Sequence, residues 1–209
     1  MVSECVSQCV LLNARSLKNK LCDLNHLLSD EYFAVSITES WLNSSVTNAM
    51  IDVSGRYNVH RNDRLTRQGG GVLCLVNNKW TSFTIPLPEK FQNLDVIAVK
   101  ITTDIGSLRY ITAYRSPEFN QLGREYMVLL VQCLEYLCNT RDTVVLVGDF
   151  NLPNVDWISL NSLMITSNQS SLIFVLIMDC ISSSRLQLVN ITFLIWCFRV
   201  IIAVYLNYK

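Results

Sequence analysis

The segment VVLVGDFNLP, residues 144–153, decides how this chain is read. Four apolar residues in succession, Val144 to Val147, describe a buried strand. It runs directly into Gly148, a carboxylate (Asp149), Phe150 and an amide (Asn151). A buried strand that ends in such groups holds chemistry only if other segments bring partners to the same place.

Working outward, residues 143–147 form one strand and the preceding residues 121–138 a helix. Leu122, Tyr126, Leu129/Leu130 and Leu134/Leu137 line one side of that helix. Residues 94–101 alternate cleanly, and residues 108–114 are their expected antiparallel partner. Residues 72–76 and 80–85 read as a hairpin about Asn77-Asn78. At the start, residues 6–12 read as a strand and Ser16 as the N-cap of a helix carrying Leu17, Leu21, Leu24 and Leu28. A short strand over 32–38 runs into Glu39, residues 46–52 form a short helix or loop, and residues 57–61 form another strand. The order β-α-β, then several strands, then α-β points to mixed sheets covered by helices, an α/β sandwich.

Composition sets the bounds. The chain has 209 residues and a formal net charge of zero, so no global basic excess marks a nucleic-acid binder. Of 17 basic and 17 acidic residues, only Asp179, Arg185, Arg199 and Lys209 lie beyond residue 160. Eight cysteines contain no C-x-x-C pair, and the only histidines are His26 and His60, which does not support a structural zinc site. The N-terminal stretch has no basic region before its apolar residues. The expectation is therefore an intracellular protein, nuclear or cytoplasmic, with reduced cysteines.

Four strand ends carry polar groups: Asn13, Glu39, Tyr114-Arg115, and Asp149 with Asn151. Such a set suits hydrolysis of a phosphodiester. Glutamate can hold Mg²⁺, which prefers carboxylate and water oxygens. A second carboxylate, Asp149, can orient or deprotonate water. Asn13 and Asn151 can position a phosphate or a metal-bound water, and Tyr114 and Arg115 can donate to anionic oxygens. Singly, each has an ordinary alternative. Glu39 could be solvated, Asp149-Phe-Asn a turn, and Tyr114 a core residue with a wet hydroxyl.

Taken together, NARS at Asn13, TESWL around Glu39, RNDR…GGGV from Arg61 to Val72, AYRSP around Tyr114 and VGDFN around Asp149 occur in order. This pattern resembles the endonuclease/exonuclease/phosphatase family, in particular the apurinic-type endonuclease domain of non-LTR retrotransposons. The resemblance implies a two-sheet β-sandwich flanked by helices and a Mg²⁺-dependent DNA endonuclease with no small-molecule cofactor. It implies a catalytic set of Asn13, Glu39, Tyr114, Asp149 and Asn151, with Glu39 and Asn13 at the metal. Arg61, Arg64, Arg67 and Arg115 are candidate DNA contacts.

The likeness covers roughly Val6 to Trp157, and residues 1–159 are taken as the N-terminal part of such a domain. Residues 160–190 read as a degraded continuation and residues 191–209 as a divergent apolar tail. The family's later Asp and its Asp-His pair have no counterpart: after Asp156 the only acidic residue is Asp179, and no histidine follows His60. A truncated or frameshifted copy with impaired activity is expected, its fold incomplete at the C-terminal side and its sheet edge unpaired. Residues 174–190 are expected to form a helix and turn. The alternative is a non-catalytic nucleic-acid-binding or membrane-tethered remnant. The stretch from Leu186 to Leu206 is long enough for a membrane span, although Arg199 inside it opposes insertion.

Overall fold

In the computed structural model the described residues are 7–64, 69–104, 106–117, 124–151, 173–178 and 198–202. They form ten strands in two five-stranded sheets. Strands of the first sheet are β1 (Ser7–Asn13), β2 (Ala34–Thr38), β3 (Tyr57–Asn62), β4 (Val72–Asn77) and β10 (Phe198–Ile202), in the order β10-β1-β2-β4-β3. Those of the second are β5 (Thr81–Ile85), β6 (Val96–Thr103), β7 (Gly106–Tyr114), β8 (Thr143–Asp149) and β9 (Ile173–Met178), in chain order. Both sheets are mixed. In the first, β1 runs parallel to β2 and β10 while β4 runs antiparallel to β2 and β3. In the second, β8 runs parallel to β7 and β9 while β6 runs antiparallel to β5 and β7. Three helices complete the set: α1 (Leu21–Leu27), α2 (Asn48–Ile51) and α3 (Arg124–Cys138).

Strand periodicity sorts the side chains into layers. Cys9, Leu11, Ala34, Val72, Cys74 and Val76 of the first sheet face Ile97, Val99, Ile101, Leu108, Tyr110 and Val147 of the second in one core. The alternate residues Val10, Val35, Ile37, Leu73 and Leu75 pack outward against Leu24, Leu28 and Ile51. On the far side, Val96, Ala98, Ile111, Val144 and Leu146 pack against Leu130, Cys133 and Leu137 of α3. The result is the α/β/β/α sandwich that the sequence implied. Burial on both faces explains why β4 and β8 read as nearly unbroken apolar runs. Each fully buried Leu or Ile in these layers contributes about 1.5–3 kcal/mol.

Several local expectations differ from what is observed. Residues 72–76 and 80–85 do not pair as a hairpin. Both edges of β4 are occupied, by β2 and β3, so β5 crosses to the second sheet and pairs with β6. Ser16 caps no helix: α1 begins at Leu21 behind Lys20, without a side-chain cap. Arg15 and Ser16 have φ of 43° and 81°, and residues 14–17 bond the backbone of Thr38, Glu39 and Ser40 instead. The first part of the expected helix over 174–190 is strand β9, whose apolar β-branched run pairs with β8. The expected unpaired edges are also corrected, since β9 covers β8 and β10 covers β1. No helix among the described residues is long and apolar enough to cross a membrane. Most of the stretch between Leu186 and Leu206 lies outside the described residues, and its described part is strand β10.

The open edges of the two sheets meet through polar side chains. His60 of β3 places Nδ1 2.9 Å from Thr84 Oγ1 and Nε2 2.9 Å from Ser82 Oγ, both on β5. Burial holds its imidazole pKa below the ordinary 6.5. The unfolded chain therefore binds a proton that the folded chain refuses over the interval between the two pKa values. The His60 contribution is complete above about pH 6.5 and declines as pH falls toward the folded value. Thermal melts between pH 8 and 5 are expected to show a falling Tm, and His60→Asn should flatten that part of the slope. An identical slope in the variant would assign the loss to other groups.

Candidate active site

The inward faces of the strands carry the apolar core, and at one end of the sandwich the same faces turn polar. Asn13 continues the Cys9–Leu11 face of β1, Tyr114 the Leu108–Tyr110 face of β7, and Asp149 the Val145–Val147 face of β8. Tyr114 and Asp149 are register partners at the ends of parallel strands, and Asn13 is likewise paired with Thr38, the residue before Glu39. Parallel pairing therefore delivers four polar residues to one end of the sandwich.

Asn13 is the centre of the group. Its Nδ2 donates to Glu39 Oε1 at 2.8 Å and to Asp149 Oδ2 at 2.8 Å. Its Oδ1 accepts the Arg15 N–H at 3.1 Å. The two carboxylates fix this amide orientation, because each needs a donor. Tyr114 Oη donates to the same Glu39 Oε1 at 2.9 Å. Burial first, and the Glu39 carboxylate second, push the Tyr114 pKa far above the ordinary 10, so its phenol remains a donor. Asp149 is fully buried, Asn13 and Tyr114 are buried, and Glu39 is half-buried at the mouth.

Glu39 and Asn151 have φ of 51° and 47°, a conformation that non-glycine residues adopt at a cost. Each is held from outside. Glu39 precedes two backbone bonds, Ser40 N–H to Gly71 O (3.2 Å) and Trp41 N–H to Gly70 O (3.0 Å). Asn151 Nδ2 donates to Arg115 O at 2.8 Å, and Arg115 returns bonds to Phe150 O and Asn151 O.

The other sequence candidates take structural positions. Arg61 bonds Asp63, Val46 O and Asn43 O. Arg64 is paired with Asp95, both almost fully buried. Arg115 is 3 % exposed inside the Asn151 turn, with Nε against Met127 Sδ. These three guanidinium groups brace loops within the chain, Arg64 and Arg115 buried and Arg61 partly exposed, and Arg67 lies outside the described residues. Asn13 is the other residue expected at the metal. It presents N–H groups to the carboxylates while its carbonyl oxygen is bonded to Arg15 N–H. Reading the sequence missed Asp95, Asn62 and the Ser36–Thr112–Tyr110 hydroxyl cluster buried between the sheets. A charged residue at the start of an alternating strand was the only signal for Asp95.

Among the described residues no group of three or more His, Cys, Asp or Glu gathers as a metal cage. A Mg²⁺ held by one carboxylate and water needs no such cage. Both bonds to Glu39 end on Oε1, so Oε2 is the oxygen available to a cation. The donor set thus fits Mg²⁺ at Glu39, with Asp149 nearby through Asn13.

No protein-family model matches the sequence, and no curated protein matches it. Solved structures do. The catalytic domain of Xenopus laevis APE2 matches with a TM-score of 0.52 at 17% identity, over 68% of this chain and 58% of that one. A 3'-5' exonuclease (NExo) from Neisseria meningitidis matches at 0.48 and 19%, over 68% and 57%. The endonuclease domain of TRAS1, a telomere-specific non-LTR retrotransposon, matches at 0.43 and 13%, over 67% and 57%. The chain spans less than three fifths of the length of each. The match to the Xenopus domain shows the fold, that of the endonuclease/exonuclease/phosphatase proteins.

Two glycines of the motifs are required by space. A Cβ at Gly148 would lie 2.4 Å from Ala113 O on the neighbouring strand. One at Gly71 would lie 2.7 Å from Ser40 Oγ, on a residue with φ of 79°. Gly148→Ala is expected to cost about 1–3 kcal/mol by overpacking. Gly71→Ala should cost about 1–2 kcal/mol from the left-handed backbone alone. Urea unfolding checks both; midpoints equal to that of the parent chain would refute the steric reading.

Proposed function

We propose that this chain is a Mg²⁺-dependent phosphodiester hydrolase acting on DNA, of the kind found in non-LTR retrotransposon endonucleases, with low turnover. The observation that carries the reading is the Asn13 amide, which spans Glu39 and Asp149 from the ends of β1, β2 and β8 while Tyr114 donates to the same Glu39 oxygen. Mg²⁺, when bound, supplies charge neutralisation and polarises a phosphoryl oxygen. Glu39 holds it. Asp149, buried and oriented by Asn13, takes a proton from water or aligns it for attack. Tyr114 stays protonated and donates to an anionic oxygen. Asn151, held in its strained conformation by Arg115, keeps the end of β8 in place behind Asp149.

Low turnover follows from the histidines. His26 lies in α1, on the outer layer, and His60 has both ring nitrogens engaged with β5 hydroxyls. No histidine follows His60 in the sequence. These residues therefore bring no imidazolium to the phosphoryl oxygens, and the absence of one such electrostatic contact costs about 10²–10³ in rate. The same observation favours a second reading, a DNA-binding protein without turnover.

Plasmid nicking and thermal shift separate the outcomes. Slow, EDTA-sensitive nicking of supercoiled plasmid is expected, falling below detection in Asp149→Asn. Mg²⁺ should raise Tm, and Glu39→Gln should remove that rise. DNA binding with the Mg²⁺ response but without nicking would establish the second reading. A Tm indifferent to Mg²⁺, or nicking that persists in EDTA, would defeat both.

A further inference from the structure

Asp95 takes no part in the chemistry above, yet it touches both halves of the site. It lies just before β6, 3 % exposed. Its Oδ1 accepts the Gly71 N–H at 2.9 Å, and its carboxylate pairs with the buried Arg64 guanidinium. Its backbone carbonyl accepts the Tyr114 N–H at 2.8 Å. Gly71 in turn accepts from Ser40 N–H, and Gly70 from Trp41 N–H, so two contacts lead from Asp95 to the residues that follow Glu39. Asn62 Nδ2 adds bonds to Leu94 O and Val96 O on either side of Asp95, joining β3 of the first sheet to this segment of the second.

That path has a physical requirement to meet. Glu39 and Trp41 both have positive φ, and such residues persist only where the surroundings hold them. Trp41 and Ser40, the residues that follow Glu39, are bonded to Gly70 and Gly71, within a run of three left-handed glycines. Glycine supplies freedom, not stiffness, so the position of this run must come from its contacts. Among the described residues, Asp95 is the charged group bonded to a backbone N–H of the run. A buried ion pair is weak evidence for stability, since apolar residues of similar volume often serve as well or better. Its placement between Gly71 and Tyr114 gives it a different use.

We propose that Asp95 is a positioning residue: braced by Arg64, it fixes the Gly70–Gly71 backbone that holds the Glu39 loop and anchors the backbone of Tyr114. The proposal rests on Glu39 and Tyr114 being site residues, and its primary test does not depend on metal or turnover. Asp95→Ala removes the acceptor for Gly71 N–H, whereas Asp95→Asn retains one. Because Asp95→Ala leaves Arg64 buried beside a lost partner, Arg64→Gln/Asp95→Ala is its companion.

Amide hydrogen exchange by NMR gives the readout. In Asp95→Ala, or in the companion, exchange at Ser40, Trp41 and Gly71 is expected to accelerate at least tenfold. Leu75 and Val99, in the centres of the two sheets, should be unchanged, and Asp95→Asn should largely restore protection. Unaltered protection at the loop, acceleration shared equally with Leu75 and Val99, or failure of both Ala-containing variants to fold would each overturn the proposal. Mg²⁺ titration of the same proteins is a separate arm, with about tenfold weaker binding expected in Asp95→Ala. A parent chain that ignores Mg²⁺ would sink the reading of the site, while the exchange data would still judge Asp95.

Discussion

One side-chain amide joins the two sheets at the candidate site. Asn13 Nδ2 uses its two hydrogens on carboxylates from opposite leaves of the sandwich, Glu39 behind β2 and Asp149 at the end of β8. Without a donor between them these groups would repel, and the buried Asp149 would lose a bond that offsets its desolvation. Neither aspartate nor leucine at position 13 could serve, since one adds charge and the other removes both hydrogens. A third contact is made by Arg15 N–H to the amide oxygen, from a loop with positive φ at Arg15 and Ser16. The late start of α1 is thus tied to the site, because residues 14–17 lie along the Glu39 loop before the helix begins.

The arginine- and glycine-rich segment is where chemical type and structural role part company. Three arginines near candidate site residues suggest phosphate contacts, but the chain uses Arg61, Arg64 and Arg115 to bind carbonyl oxygens and Asp residues within its own loops. A planar guanidinium suits this task as well as it suits phosphate, since it can bridge several acceptors that a turning backbone leaves without partners. With these three engaged, the proposed DNA reading assigns charge neutralisation at the site to a bound divalent cation.

The strands were legible because their burial is two-sided or alternating. Leu94, Val96 and Ala98 face α3 and Ile97, Val99 and Ile101 face the first sheet, as the pattern over 94–101 states. The polar strand ends were legible as a set, and the structure brings Asn13, Glu39, Tyr114 and Asp149 into one hydrogen-bonded group. Pairing partners were less legible. Nothing in residues 72–85 says that β4 has both edges filled, and a local turn signal is outweighed by sheet pairing between distant segments. The direction in which Asn13 points was beyond reach for the same reason: an amide offers donors and acceptors alike, and only its neighbours choose between them.

Burial then assigns different tasks to the two carboxylates. Below the site the inter-sheet core contains a hydroxyl layer, with Ser36 Oγ 2.8 Å from Thr112 Oγ1 and 3.2 Å from Tyr110 Oη, so the interior turns gradually from apolar to polar toward the strand ends. Asp149 stands at the dry end of that gradient and Glu39 at the wet end. In the proposed reading Glu39 would hold a hydrated cation, through an oxygen not already bonded to Asn13 or Tyr114. Asp149 meets only what is carried inward. In the proposed reaction that order matters, because a carboxylate kept from bulk water interacts more strongly with a single proton or a single aligned water than one in the open. The strained backbone at Glu39 and Asn151 sits on either side of this gradient, at the two points where the chain must turn away sharply without withdrawing the side chain it has just delivered.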